Sequence, residues 1–117
     1  MSAYLDGFVI PVPADKKEAY RAFAARMAPF FLEHGAERIV EAWGDDVPHG
    51  KTTDFHGAVK AEPDEAIVFA WVMWPSREAR DAGMAAIQAE IQPPTDAPFD
   101  MKRMIFGGFE TILDESK

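Results

Sequence analysis

The chain has 117 residues, enough for one domain with a single hydrophobic core but too few for two. It contains no cysteine, which excludes disulfides, thiolate catalysis and cysteine-ligated metal sites. The formal net charge of -8 has the wrong sign for contacts with phosphate backbones, so we do not expect nucleic acid as a partner.

The N-terminal third predicts a strand followed by a helix. Residues 4–12 alternate and are rich in β-branched and aromatic side chains, which is typical of a strand. Asp15, with Glu18 three residues later, resembles a capping box at the start of a helix. Apolar residues at helical spacing follow, and His34 with Gly35 predicts the end of this helix.

The rest of the chain predicts further strands and a second helix. Residues 36–44 and 52–60 each favour a short strand, and residues 66–74 are apolar at every position, which is typical of a central strand buried on both faces. Ser76 is placed to cap the second helix. Residues 103–113 predict the final strand.

Two adjacent glycines, Gly107 and Gly108, lie inside this final strand. Glycine weakens a strand and is found where a bulge or a close backbone approach requires it. We therefore expect this strand to lie centrally in the sheet, with another element pressed onto it. The order β-α-β-β-α-β predicts an α+β, ferredoxin-like fold comprising residues 1–117 as a single domain.

A ferredoxin-like layer has helices on only one face of its sheet, so the other face needs a cover. We expect that face to carry bulky side chains, which would form a larger apolar patch than monomers usually expose. A twofold homodimer that packs two such faces together as a barrel is the simplest solution. The predicted residues of this face are Phe8, Trp43, Phe69, Trp71 and Phe106.

Short motifs along nearly the whole chain carry a family resemblance. They are Asp6-Gly7-Phe8-Val9, Pro11-Val12-Pro13, Gly44-Asp45-Asp46-Val47-Pro48 with Gly50-Lys51, Ala58-Val59-Lys60-Ala61, Pro75-Ser76-Arg77 with Arg80-Asp81-Ala82, Pro98-Phe99-Asp100, and Lys102-Arg103-Met104-Ile105-Phe106-Gly107-Gly108-Phe109-Glu110. Together they resemble the YbaA-like family of short bacterial proteins, a family of unknown function in the dimeric α+β barrel superfamily. The resemblance implies the fold and a dimer. It implies no activity and no catalytic residue.

Five residues are candidates for a ligand pocket. Asp6 and Glu110 lie on the first and last strands, which are adjacent in this fold, and two carboxylates in a dry site would divide one proton between them for acid–base catalysis. Glu41, outside these five, is a third carboxylate placed mid-strand among apolar neighbours. The alternative is that each pairs with a cation such as Arg103, or points into water. Trp43 and Trp71 could line a pocket for a flat apolar ligand, or belong to a dimer core.

Metal and cofactor sites are not expected. The three histidines, His34, His49 and His56, have no ligand spacing, and Asp45-Asp46 lies on a loop without the regular acidic spacing of a calcium site. The N-terminal residues lack a signal-peptide pattern, and no apolar run approaches the ~20 residues that span a bilayer. We expect a cytoplasmic protein with no membrane association.

The sequence thus predicts a soluble homodimeric α+β barrel that binds a small molecule. One alternative is a cofactor-independent enzyme with a buried carboxylate base near Trp71. Another is a scaffold whose task is dimerisation, or, with little support from the charge, an RNA-associated protein. Whether the chain is an enzyme is left open by its sequence.

Overall fold

The computed structural model describes residues 3–117. The strands are β1 (Tyr4–Pro13), β2 (Arg38–Trp43), β3 (Glu65–Trp74) and β4 (Ile105–Glu110), and the helices are α1 (Lys17–Glu33), α2 (Phe55–Ala58) and α3 (Arg77–Glu90). Single turns of 3-10 helix precede α1 and β4, at Ala14–Lys16 and Met101–Arg103. Met1 and Ser2 lie outside the described residues, and they belong to the N-terminal stretch in which no signal-peptide pattern is predicted.

The four strands form one antiparallel sheet in the order β2-β3-β1-β4. This is the predicted ferredoxin-like α+β arrangement. The central position of β3 is also confirmed, since it pairs with β1 on one side and β2 on the other. Within residues 3–117, no helix combines the length and the apolar character needed to cross a bilayer.

β4 is an edge strand, so the prediction that it lies centrally is wrong. Gly108 nevertheless meets a close approach, because a Cβ there would collide with the Arg80 guanidinium and the Tyr4 hydroxyl. Gly107 faces the other side of the sheet, where a Cβ would meet only the Phe109 ring at 3.6 Å. The glycine at position 108 is therefore explained by the side chains of Arg80 and Tyr4 that lie on one face of β4, and not by a second neighbouring strand.

Residues 52–60 are not a strand as predicted, but a loop that contains α2. The Asp54 carboxylate accepts hydrogen bonds from the backbone amides of Gly57 and Gly50, at 2.5 and 3.0 Å. An aspartate in this position satisfies the free donors of a helix start and competes with extended backbone. The Phe55 ring of this loop then contacts the Phe69 ring edge-on, with centroids 6.2 Å apart.

Of the two predicted helix caps, the one at α3 is confirmed and the one at α1 is wrong. Ser76 caps α3 as predicted, because its hydroxyl accepts a hydrogen bond from the Ala79 amide at 3.1 Å. Asp15 does not cap α1, since the chain first makes a 3-10 turn and the cap residue, Lys16, has no side-chain cap. Gly35 has φ of 108°, the left-handed conformation expected after a helix end.

The core lies between the sheet and the helices. Even-numbered residues of β1 and β3 point towards α1 and α3, and the most deeply buried of them are Val12, Val68 and Trp74. Tyr20 of α1 and Ile87 of α3 complete the two clusters from the helix side. The alternation of the strands thus decides which side chains reach the core.

The predicted composition of the uncovered face is partly wrong. Phe69 and Trp71 lie on it, but Trp43 and Phe8 pack against the helix-side core, and Phe106 is paired with Phe8 and stacks on its ring at 6.3 Å. Neighbouring residues of a strand point to opposite faces, so each face assignment depends on register, which the sequence does not display.

Candidate functional site

The face of the sheet opposite the two long helices, called here the open face, is concave and apolar. Its concavity has a volume of about 650 Å³ and is lined mainly by residues of β1, β3 and β4. Large side chains on it are exposed to water in the single chain: Phe69 by 49% and Phe109 by 60%. This volume lies within the range of ~300–1,000 Å³ typical of small-molecule pockets.

Trp71 is the one predicted pocket residue that lines this concavity. The Arg38 guanidinium lies over its ring, 5.4 Å from the centroid, in a cation–π contact. Arg38 pairs with Met73 across the β2–β3 ladder, which places it at the rim of the open face. At the other end, the buried Thr111 hydroxyl has no hydrogen-bond partner among the described residues. The concavity therefore combines aromatic walls with few polar groups.

Asp6 does not reach the concavity, because its carboxylate points to the helix side. It is 7% exposed and accepts hydrogen bonds from the Trp74 indole at 2.9 Å and from the Arg80 guanidinium at 3.1 Å. The Arg80 guanidinium also stacks over the Tyr4 ring at 5.0 Å and contacts Asp81 at 2.7 Å. This network ties α3 to β1 and β3 and is fully occupied by protein groups.

The hypothesis that Asp6 and Glu110 share a dry site is wrong. Asp6 lies opposite Gly108 in the ladder, whereas Glu110 lies opposite Tyr4 at the end of the edge strand and is exposed. The partner of Asp6 is Arg80, and not Arg103 as the alternative proposed. A carboxylate that is exposed to water does not form the dry pair that this kind of acid–base catalysis requires.

Arg103 lies close to the start of β3, where it is bound to carboxylates of the protein. Its guanidinium donates two hydrogen bonds to the Glu65 carboxylate, at 2.6 and 2.8 Å, and one to Asp100 at 3.0 Å. Those bonds from Arg103 hold the pKa of Glu65 below its ordinary value. The arrangement anchors the turn before β4 and leaves Arg103 no free face for a ligand.

Trp43 borders a second cavity, of about 160 Å³, on the helix side of β2. There the Tyr20 hydroxyl donates a hydrogen bond of 2.6 Å to Glu41. Burial raises the pKa of Glu41, although the hydrogen bond from Tyr20 acts in the opposite direction. Burial and the nearby Glu41 raise the pKa of Tyr20, so the phenol stays protonated.

The histidines are divided between two places. His34 pairs with Glu90 at the end of α1, while the rings of His49 and His56 stack at 4.2 Å in the loop before β3. No group of three potential metal ligands occurs in residues 3–117. Hydrogen bonds from the Gly57 and Gly50 amides keep the pKa of Asp54 low in the same loop.

The five pocket candidates are therefore not brought together. Reasoning from the sequence missed Arg38 and Arg80, and it singled out Glu41 without its partner Tyr20, because the contacts join residues distant along the chain. One signal was available for Glu41, a carboxylate between apolar residues in the alternation of β2. Nothing local in the sequence marks Tyr20 as its donor.

A family model described as "Protein of unknown function (DUF1428)" matches residues 3–101. The chain belongs to this family. It is 56% identical to "Uncharacterized protein YbaA" of Escherichia coli strain K12, with 96% of this chain and 98% of that protein covered, and the same values hold for the protein of that name in Shigella flexneri. The resemblance seen in the sequence motifs is thus confirmed.

Two solved structures resemble the fold more distantly. The structure of Rv0793 from Mycobacterium tuberculosis is 16% identical, with a TM-score of 0.49, and covers 99% of this chain and 100% of its own. The crystal structure of NE2512, a protein of unknown function from Nitrosomonas europaea, is 12% identical with a TM-score of 0.47, covering 100% and 96%. The fold itself is defined by the strand pairing described above.

Proposed function

We propose that the chain works as a homodimer that binds a small, mostly apolar molecule between two open faces. The observation that carries this proposal is the exposure of large apolar side chains on a concave sheet face. Monomers rarely leave apolar patches of this kind in water, because hiding apolar surface is the main favourable term in association. The two copies act as each other's cover.

The large solvent-accessible surface of the single chain supports a second copy as the cover of the open face. A folded monomer of 13.0 kDa exposes about 6,300 Å² by the general relation of area to mass, whereas this chain exposes 8051 Å². Its radius of gyration is 15.0 Å, against about 13 Å for an isolated domain of this length. The excess area, to which the exposed residues 112–117 contribute, exceeds the ~800 Å² that one partner gives to a standard interface.

The distribution of charge supports the same contact. With a net charge of -8, two copies repel each other unless they meet through a surface that carries little charge. In the strand segments that cross the open face (residues 5–9, 38–42, 69–73 and 105–109), Arg38 is the one charged residue whose alternation places it on that side. Asp114, which follows the strands, also lines the concavity, so the open face carries few charges.

The concavity supports a ligand in addition to a dimer. Gly7 and Gly107 face each other in the β1–β4 ladder on the open side, and the Phe109 ring lies against both of them. Two open faces turned towards each other enclose a chamber with aromatic walls. A flat apolar molecule fits the walls, and an acidic group on it would pair with Arg38 beside Trp71.

The dimer is tested by matched substitutions on β4. Phe109→Glu places a charge on the open face, and Phe106→Glu places the same charge on the other face, where Phe106 is 72% exposed. We expect the wild type and Phe106→Glu to sediment as dimers and Phe109→Glu as a folded monomer. Dimers of equal strength in all three proteins, or a monomeric wild type, would refute the interface.

The chamber is tested by filling it. Gly7→Val adds an apolar side chain to the open face, at a position where a Cβ meets the Phe109 ring at an ordinary 3.5 Å. Titration with the fluorescent probe anilinonaphthalene sulfonate is expected to show saturable binding to the wild-type dimer and at least tenfold weaker binding to Gly7→Val. Equal binding by two dimeric proteins would favour the scaffold alternative.

A further inference from the structure

The second cavity lies away from the open face, at the free edge of β2. Its polar pair is Tyr20 of α1 and Glu41 of β2, and its apolar walls are Trp43 and Val68. Tyr20 is almost completely buried and aims its hydroxyl at Glu41 Oε1. The cavity thus holds a carboxyl group at its mouth, fixed from below by a phenol.

Two cations stand at the entrance. Lys17 and Arg21 lie one helical turn apart on α1 and both border the cavity. Arg21 is bound to Glu18 at 2.9 Å, whereas Lys17 forms no ion pair within residues 3–117. In a chain with a net charge of -8, a free cation beside a cavity favours the entry of a small anion.

The volume limits the size of that anion. A cavity of about 160 Å³ corresponds to about five water molecules at the ~30 Å³ that each occupies in the liquid. A space of that size suits a short carboxylic acid. We propose that the cavity is a proton-transfer site for short α-keto acids, with Lys17 holding the carboxylate and Glu41 exchanging a proton with the carbon next to the ketone.

The step needs no cofactor. The Glu41 carboxylate removes a proton from the carbon adjacent to the ketone, the C–H electron pair becomes a carbon–carbon double bond, and the carbonyl π pair moves to oxygen as an enolate. Glu41 then holds the proton as a carboxylic acid and returns it, or one exchanged with solvent, to the same carbon. Tyr20 is a positioning residue, because it orients the carboxyl group and adjusts its proton affinity.

The electrostatics agree with this role. Burial of part of its side chain raises the pKa of Glu41 above its ordinary value, and a carboxylate with a raised pKa is a stronger base. The charged or titratable groups that line this cavity are Lys17, Tyr20 and Arg21 from α1 and Glu41 itself, and β3 contributes only Val68. No second carboxylate in the lining competes for the proton.

The test follows proton NMR of pyruvate in deuterium oxide, where enolisation removes the methyl signal. We expect the wild type to accelerate this loss above a buffer blank, and Glu41→Gln to reduce the acceleration about a hundredfold or to the blank. The control is Glu33→Gln, which removes an exposed carboxylate at the far end of α1 and is expected to leave the rate unchanged.

Two further variants separate the roles. Lys17→Met is expected to raise the pyruvate concentration needed for half-maximal rate without changing the limiting rate. Tyr20→Phe keeps the ring but removes the hydrogen bond that lowers the pKa of Glu41, so the inflection of the rate against pH is expected at higher pH. A merely structural tyrosine would leave that inflection in place.

The proposal is independent of the open face, so the monomeric variant Phe109→Glu is expected to retain the exchange activity. A wild type no faster than the blank overturns the proposal. So does a folded Glu41→Gln protein, as judged by circular dichroism, that exchanges as fast as the wild type. If Glu41→Gln does not fold, an unchanged half-maximal concentration for Lys17→Met overturns it.

Discussion

The two faces of this sheet are built from the same strands but are covered in different ways. On the helix side, Val12, Val68 and Trp74 are buried by α1 and α3 within the single chain. On the open face, Phe69 and Phe109 remain about half exposed or more. The difference teaches that apolar alternation shows which residues need cover, but not whether the chain itself provides that cover.

The largest expected effect compares two tryptophans of β3. Trp74 is 0% exposed and donates its indole hydrogen bond to Asp6, so Trp74→Ala should cost about 3–5 kcal/mol of unfolding free energy. Trp71→Ala, made in the monomeric Phe109→Glu background, should cost clearly less, because Trp71 lies on the uncovered face. Urea denaturation measures both, and equal losses would contradict the difference between the faces.

The next effect concerns the charge buried on the helix side. Asp6→Ala leaves the Trp74 indole without its acceptor and the Arg80 guanidinium without its buried partner, which should cost about 3 kcal/mol. Asp81→Ala removes the other, half-exposed carboxylate on Arg80 and should change stability by less than about 1 kcal/mol. Thermal and urea unfolding of both variants decide this, and similar costs would show that burial of Asp6 matters little.

Much of the fold could be predicted because its signals are local. The alternation of residues 4–12, the unbroken apolar run of β3 and the serine cap of α3 each report backbone structure directly. The prediction of a strand at residues 52–60 was wrong because the Asp54 carboxylate accepts the hydrogen bond of a helix start. This local interaction outweighs the strand-like composition of the segment. Trp43 and Phe8 were assigned to the wrong face because register is set by pairing between strands.

The candidate site was less predictable because its contacts join distant parts of the chain. Asp6 could be singled out as a carboxylate in an apolar strand, but its partner Arg80 is 74 residues away. Glu41 stood out for the same reason, and its donor, Tyr20, looked like an ordinary member of an apolar helix stripe. Such pairs follow from how α1 and α3 cross the sheet, which no spacing rule encodes.

A smaller effect is expected at the paired glycines of β4. Gly108→Ala would displace the Arg80 guanidinium, which Asp6 and Asp81 hold in place, and should cost about 1–3 kcal/mol. Gly107→Ala meets only an ordinary contact on the open face and should be neutral or stabilising by up to about 1 kcal/mol. Urea denaturation of the two variants in the Phe109→Glu background tests the contrast, and a cost confined to Gly107→Ala would reverse our assignment of the faces.

The smallest effect is a pH dependence that belongs to the helix side alone. Burial raises the pKa of Glu41 in the native state, so between its ordinary and its raised pKa the native chain holds a proton that the unfolded chain has released. The free energy of unfolding contributed by this group therefore falls as pH rises through that interval.

Glu41→Gln cannot ionise and its amide oxygen still accepts from Tyr20, so the variant should gain stability relative to the wild type across the interval and show no gain below it. Urea denaturation from acidic to neutral pH measures this difference, with Glu33→Gln as the exposed control; parallel curves for wild type and Glu41→Gln would mean that Glu41 is solvated like any surface carboxylate.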